Sequence, residues 1–507
     1  MNQPLVGIDD MALYVPKLYL AIEELAKQRQ LEYAKLNKGL GLVRMVVPDV
    51  HEDAATMAAN AVNELIDRNQ LNPSTIGRIY LGTESALDGA KPTATYLLEM
   101  LRRKYRAVHG VECFQHCDVV DLTFACVGGV DALQNTLDWV RGNSERIGIV
   151  VTSDFAKYEL ESGGEYTQGA GAVAMLIKHQ PRLLAIQDNF GVATQGVHDF
   201  YKPRRTFSKK QLIEEVLNLA GISHLSATDI LQQLPNSLQV NGLLEENDDT
   251  LELHKDTPIF DGQYSNWTYQ NRIREAYLNF CKKATDTHQN VNCLSNWERL
   301  IFHLPYAFHG KRIASELFML SLKQAGKWEA VANSLPEEPL PENYTENDQY
   351  QKDRVAFLRA VTKTAVYKQF TKEKLDKAAR ASSLVGNMYA CSIFLALMSS
   401  LESDWQEGAD LANKALGFMG YGSGSKSKVF EGIVQAGWEK VVAQFDVFKK
   451  IDRCQAIDYP TYEQLHRKQL TNSIIEPNEE FAIERIGTEG TRLGARYYAW
   501  KEAEVLV

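Results

Sequence analysis

The segment Asp121-Leu-Thr-Phe-Ala-Cys126-Val-Gly-Gly-Val130 sets one cysteine between a short apolar run and a Gly-Gly pair that can open a helix. The unpaired N–H groups and positive dipole end of a helix stabilise a sulfur anion, and glycine lets a substrate thioester approach the backbone. Cys126 is therefore read as a nucleophilic thiolate, with a small core hydrophobe as the plainer alternative. Glu84, in Thr83-Glu84-Ser85, directly follows the strand-like run Arg78-Ile-Tyr-Leu-Gly82. Catalytic groups of open α/β sheets collect at the carboxyl ends of strands, where a partly desolvated carboxylate can act as general acid or base. His303 likewise follows the strand-like Arg299-Leu-Ile-Phe302, and Pro305 turns the chain away. Its imidazole could polarise a carbonyl through Nε2–H or carry a proton near neutral pH. His309 and Lys311, just downstream, could add positive charge for a phosphate-bearing substrate.

Two further segments, Ser383-Leu-Val-Gly-Asn387-Met-Tyr389 and Gly420-Tyr-Gly-Ser423-Gly-Ser425, are loop-like and rich in small polar residues. They could offer an amide side chain and backbone N–H donors to a thioester carbonyl. Neither completes a dinucleotide fingerprint or a P-loop, so no NAD, FAD or ATP site is expected.

The elements that must position these residues are strands and helices in alternation. Helices are expected over Thr93–Tyr105, Val130–Arg141 and Ser392–Ser400, and buried strands over Arg78–Gly82, Arg146–Val151 and Gly171–Ile177. This order predicts an α/β class. The stretch Gly417–Phe430 reads as a glycine-rich loop leading into a strand, and Ser334–Asn343 as a surface loop. Between Pro203 and Asp261 lie 57 residues with a helical run at Gln211–Ala220, which read as an insertion. It opens on a basic cluster (Lys202, Arg204, Arg205, Lys209, Lys210) and ends acidic (Glu245, Glu246, Asp248, Asp249).

Bulk properties narrow the function. With 507 residues, 45% hydrophobic and 24% charged, the chain can bury two cores or a duplicated one. A net charge of -10 gives no general attraction to nucleic acid or anionic membranes. The first residues lack a secretory pattern and no long apolar run occurs, from which a cytoplasmic location is expected. Seven cysteines fit reduced thiols better than a disulfide framework. Cys113-Phe-Gln-His116-Cys117 invites a metal, but no second close pair completes four ligands, and it reads as a strand.

Taken together, the segments resemble the 3-hydroxy-3-methylglutaryl-CoA synthase family of the thiolase-fold superfamily, especially its bacterial mevalonate-pathway members. The similarity runs from Gly7-Ile-Asp-Asp-Met-Ala-Leu-Tyr-Val-Pro-Lys17 to about Gly432, broken by the insertion. Specific matches are Thr83-Glu84-Ser85, Ala125-Cys126, Ser162–Ala174, Asp199-Phe-Tyr-Lys-Pro203, His303-x-Pro305, Gly386-Asn387-Met-Tyr389 and Tyr421-Gly-Ser-Gly424. The resemblance implies a duplicated core in αβαβα layers, with halves at 1–180 and 181–507 and the insertion at about 204–258. It implies that Cys126 takes the acetyl group of acetyl-CoA and that Glu84 removes a methyl proton. His303 would then polarise the C3 ketone of acetoacetyl-CoA, and the N–H groups of Cys126 and Ser423 would steady thioester oxygens. Tyr158, Thr167, Asp199 and Asn387 are expected to line or order the site. No metal or redox cofactor is implied, and a homodimer is.

Two departures stand out. The family usually has a basic residue in the CoA region five positions after the histidine, where this chain has Phe308; Lys311 or Arg312 could replace it. The insertion's basic cluster could contact CoA phosphates or an acyl carrier protein, or be a solvated loop. The runner-up function is the β-branching relative of polyketide synthesis that works on carrier-bound chains. A catalytically silent scaffold would be expected to have lost part of the Glu84, Cys126 and His303 set, and a decarboxylating ketoacyl synthase would lack the glutamate.

Overall fold

The computed structural model describes residues 5–233, 249–284 and 292–503. Its centre is a nine-stranded sheet built from β1 (Val6–Tyr14), β2 (Ile76–Gly82), β3 (Asp118–Leu122), β4 (Ile147–Ala156), β5 (Gly169–His179), β6 (Leu184–Thr194), β7 (Trp297–Phe302), β8 (Ala415–Gly422) and β9 (Lys426–Val434). The spatial order is β7-β8-β9-β6-β1-β5-β4-β2-β3. Strand β5 runs antiparallel to both of its neighbours, β1 and β4, and β2 runs parallel to β4. Strands β6, β9 and β8 repeat that pattern, with β7 parallel to β8. The chain thus contains one α/β pattern twice, and the copies meet edge to edge at Gly7↔Ala185 and Ile8↔Leu184.

The helices repeat as well. Helix α1 (Ala54–Asn69) covers β1, β5 and β4, as α3 (Gly262–Lys283) covers β6, β9 and β8. Helix α2 (Gly128–Arg141) lies on β2, β4 and β5, and α5 (Ser392–Gln406) lies against β7. Burial is the reason these strands read as continuous apolar runs: β5 is buried over its first nine residues and β4 over most of its length. Between α3 and α5, α4 (His309–Gln324) follows directly from the His303 turn.

Several expectations needed correction. Gly417–Phe430 is not a loop but two antiparallel strands, β8 and β9, joined at 423–425. Its glycines serve packing: a Cβ at Gly417 would stand 2.2 Å from the Trp297 ring, and one at Gly422 would stand 2.4 Å from the Phe124 carbonyl. Residues 111–116 form turns rather than a strand, with Cys113 buried beneath them, and β3 begins at Asp118. Within the insertion, Arg204–Ser208 pairs antiparallel with Thr250–His254, and a helix spans Lys209–Leu219. The acidic residues Glu245, Glu246 and Asp248 lie outside the described residues.

The C-terminal segment, which carries no sequence signal, folds back onto the first half. The hairpin Glu480–Ile486/Arg496–Lys501 buries Phe481 and Tyr498 in the cluster that contains Leu65 and Ile79. Buried Glu480 accepts hydrogen bonds from Tyr14 Oη at 2.8 Å and Lys17 Nζ at 2.5 Å. Among the described residues no helix is long and apolar enough to cross a membrane.

Candidate active site

Close packing of glycines brings the first two chemical groups together. Strand β2 ends at Gly82, where a Cβ would stand 2.4 Å from Gly129 Cα, so nothing larger fits between the strand end and the start of α2. Gly129 in turn faces Thr152 and the Phe394 ring, at 2.4 and 3.0 Å from where its own Cβ would be. The Gly-Gly pair therefore clamps α2 between β4 and the start of α5. Glu84, two residues past β2, and Cys126, two residues before α2, are left side by side, and Cys126 Sγ donates to Glu84 Oε1 at 2.9 Å. Ala125 takes the left-handed region with φ of 40°, which turns the cysteine out at this tip.

The electrostatics revise one expectation. Cys126 is 8% exposed. Burial, followed by the adjoining Glu84 charge, pushes its thiol well above the ordinary cysteine range. The resting sulfur is thus protonated, not a thiolate held ready by the helix dipole, because its strongest neighbour is a carboxylate. Burial also raises Glu84 above the usual carboxylate range, while Lys202 and the Cys126 thiol pull it down. The pair is a thiol beside its own base.

Sequence reasoning missed the residue that fixes this base. Asp154, fully buried in β4, accepts from the Glu84 N–H at 2.7 Å and Thr83 Oγ1 at 2.9 Å through Oδ1. Its Oδ2 accepts from the Ala390 N–H at 3.0 Å, which ties both halves of the site to one carboxylate. Burial and the nearby Glu84 charge push Asp154 up to about 7. An acid closing the apolar run Ile147–Ala156 was the available signal.

His303 directly follows β7 and is 1% exposed, with its backbone N–H bonded to the Met419 carbonyl of β8 at 3.0 Å. Tyr269 Oη donates to the His303 carbonyl at 2.7 Å, and the Tyr269 ring stacks on Tyr421 at 4.1 Å. Burial drives the His303 imidazole down to about 3, so it is neutral at physiological pH. It is suited to polarise a carbonyl by hydrogen bonding and not to carry a proton on and off near pH 7. His309 is buried between Tyr269 and Tyr306, and neither of its ring nitrogens has a hydrogen-bond partner among the described residues. Burial holds it neutral as well, so it supplies no positive charge.

The remaining expected residues fall in two groups. Tyr158 packs with Cys126, Ala156 and Tyr389 in one apolar cluster. Asn387 donates its N–H to the Thr167 carbonyl at 2.8 Å, while its Oδ1 accepts from Tyr389 N at 2.9 Å and Ser392 Oγ at 3.0 Å. Asp199, fully buried, accepts from Tyr421 Oη and Gly424 N at 2.8 Å each and holds the β8–β9 connection. Ser423, in that connection, shares with Glu84, Thr123 and Ala125 the wall of a cavity of about 700 Å³. Lys311 is not on that wall: its ammonium bonds Asp376 at 2.7 Å and lies over the Phe308 ring at 4.1 Å. Phe308 fills the space beside Gly41, and Arg312 bonds Tyr306 Oη and the Gly39 carbonyl, so neither cation takes the place of the missing basic residue at the cavity. Of the basic cluster, Lys202 and Arg204 reach the cavity wall. A second cavity of about 560 Å³, near Lys157 and His466, contains none of the three reactive groups, and its Lys255 and Lys468 are paired with Glu159 and Asp256.

A duplicated α/β core with a cysteine at a strand–helix tip, a glutamate hydrogen-bonded to it and a buried neutral histidine after a strand of the second half is the arrangement of a thiolase-like carbon–carbon condensing enzyme. The family models described as hydroxymethylglutaryl-coenzyme A synthase N terminal and C terminal match residues 3–181 and 251–478. The chain belongs to the hydroxymethylglutaryl-CoA synthase family. It is 29% identical to the hydroxymethylglutaryl-CoA synthase of Haloferax volcanii, over 98% of this chain and 99% of that one. It is 25% identical to the Enterococcus faecalis enzyme of the same name, over 94% and 95%. Among solved structures, MvaS in complex with 3-hydroxy-3-methylglutaryl coenzyme A superposes with a TM-score of 0.71 at 24% identity, over 98% of this chain and 99% of that one. The curacin biosynthetic pathway HMG synthase in complex with holo donor-ACP superposes with a TM-score of 0.68 at 19% identity, over 98% and 100%.

Proposed function

We propose that this chain condenses acetyl-CoA with acetoacetyl-CoA and water to 3-hydroxy-3-methylglutaryl-CoA, the step that feeds a mevalonate pathway. The 2.9 Å contact between Cys126 Sγ and Glu84 Oε1 carries the reading. Glu84 takes the thiol proton as sulfur attacks the acetyl-CoA carbonyl, and the same proton leaves with the CoA thiol. Free again, Glu84 removes a proton from the methyl of acetyl-Cys126, and the enolate carbon attacks C3 of acetoacetyl-CoA. The neutral His303 imidazole donates a hydrogen bond to the C3 oxygen, which takes up the proton that Glu84 removed from the methyl group and becomes the tertiary hydroxyl. Water then cleaves the Cys126 thioester and restores the thiol. Backbone N–H groups of Cys126 and Ser423 serve the thioester oxygens, and Tyr158, Thr167, Asp199 and Asn387 hold the walls.

The halves at 1–180 and 181–507, a homodimer and a cytoplasmic location belong to the same reading; the repeated strand order supports the first. A second reading, condensation on carrier-bound chains, draws on Phe308 standing where the family carries a basic residue near CoA. Mixing purified protein with free acetyl-CoA and acetoacetyl-CoA and following product by liquid chromatography with mass detection separates the two. Saturable formation of 3-hydroxy-3-methylglutaryl-CoA is expected. Turnover confined to carrier-bound acceptors would replace the first reading with the second.

A further inference from the structure

Lys202 opens the basic cluster of the insertion, yet its ammonium does not point outward to a phosphate. Its Nζ donates to the Glu84 carbonyl at 3.3 Å and lies 4.7 Å above the centre of the Tyr389 ring. Tyr389 is fully buried and belongs to the Cys126 cluster, so the ammonium sits over the wall that holds the sulfur. Three groups that become or remain anionic crowd this point: the Cys126 thiol, the Glu84 carboxyl bonded to it, and the Asp154 carboxyl bonded to the Glu84 N–H. Placing like charges together in a desolvated site is unfavourable unless a cation offsets them.

We propose that Lys202 is a positioning residue for the first proton transfer, its ammonium setting the charge balance of the Cys126–Glu84–Asp154 group from beside the Tyr389 ring. When the thiol proton moves to Glu84, one negative charge leaves the carboxylate and appears on sulfur, beside the ammonium held on the Glu84 carbonyl and over the Tyr389 ring. The other charged or titratable groups on the cavity wall are Asp88, Tyr201, Arg204, Glu252 and His254. Arg204 and His254 are exposed and reached by solvent, which screens them. Lys202 pulls the pKa of Glu84, Asp154 and Cys126 downward, as a cation in that place should, and it pulls exposed Asp256 the same way.

The inference rests on Cys126 and Glu84 being the reacting pair, and its test does not require condensation to occur. The rate of Cys126 alkylation by iodoacetamide is measured against pH for the parent, Lys202→Met and Lys202→Arg, with thermal melts to establish folding. Loss of an opposite charge at this range moves a titration by about one pH unit or more. The midpoint is therefore expected to rise by about one unit in K202M and to stay within about 0.3 unit of the parent in K202R. In variants that turn over, the acid limb of kcat/KM should move upward in the same order. If K202M does not fold, Lys202→Gln, which keeps a donor for the Glu84 carbonyl but no charge, replaces it and is expected to shift the profile equally. An unmoved midpoint in a folded K202M or K202Q overturns the proposal, as does a K202R profile displaced as far as that of K202M. Failure of the functional reading would show instead as a normal alkylation profile in a protein that never forms product.

Discussion

Replacing Glu84 by glutamine separates two roles that the site gives one carboxylate, and the two readouts should move in opposite directions. The carboxylate oxygen is 2.9 Å from Cys126 Sγ, so ionising the thiol places two negative charges at that separation. Two unit charges 2.9 Å apart repel by about 1.4 kcal/mol at the dielectric of water and by about 5.7 kcal/mol at an effective dielectric of 20. At about 1.36 kcal/mol per unit, that range is roughly one to four pH units of thiol acidity. Glu84 is partly open to the cavity, so the lower end is the working figure. Glu84→Gln keeps the shape, removes the charge and leaves an amide N–H that can donate to the sulfur. The alkylation midpoint of Cys126 should therefore fall by at least about one unit. Each unit raises the thiolate fraction about tenfold and lowers intrinsic nucleophilicity about threefold, so alkylation below the midpoint should run about three times faster. Condensation by the same variant should fall by about 10² or more, because the methyl proton has lost its base. The paired measurement is an iodoacetamide pH–rate profile and a product assay on one preparation. A midpoint that stays in place or rises in E84Q would refute the reasoning, since the carboxylate would then not be the group that keeps the sulfur protonated.

Two further outcomes follow from the packing and the buried titrating groups. Gly129→Ala places a methyl 2.4 Å from Thr152 Cγ2, an overpacking expected to cost about 1–3 kcal/mol in denaturant melts and to push Cys126 away from Glu84 with at least a tenfold loss of rate. Adding Thr152→Ser, which removes the opposing methyl but keeps the hydroxyl bonded to the Val173 carbonyl, should return part of both losses, and an absence of rescue would contradict the clamp. Between about pH 6.5 and 4.5, buried His303 and His309 accept protons only in the unfolded chain and so cost stability as pH falls, by up to about 1.4 kcal/mol per unit each. Asp154 and Glu52, both raised to about 7 by burial, hold protons in the folded chain over that window and act with the opposite sign. His309→Phe, which keeps a ring between Tyr269 and Tyr306, should make stability at pH 5 relative to pH 7 more favourable than in the parent by about 2 kcal/mol, read by urea melts at the two pH values.

What could be read from the sequence was local. Gly-Gly after Cys126, and Glu84 directly after an apolar run, each announce an element end, and element ends are where these sheets keep their chemistry. The α/β class followed from apolar runs whose burial the structure bears out. The reading failed where meaning depends on a distant partner. Asp154 stands near the end of an apolar run, but its role lies in two amides, Glu84 and Ala390, at 70 and 236 residues' distance. The glycines of Gly417–Phe430 look like a loop because the rings and carbonyls that exclude a side chain there come from Trp297 and Phe124. Lys202 reads as the first of a row of surface cations, and only the fold turns it inward onto Tyr389. The segment after Asp446 showed nothing because its anchors, Tyr14 and Lys17 on Glu480, lie more than four hundred residues away.

The most direct test of the account is the intact mass of the protein after acetyl-CoA, with peptide mapping, followed by addition of acetoacetyl-CoA. A single acetyl group on the Cys126 peptide that disappears as 3-hydroxy-3-methylglutaryl-CoA accumulates is the predicted result. No adduct at Cys126, or an adduct that acetoacetyl-CoA does not discharge, would contradict it.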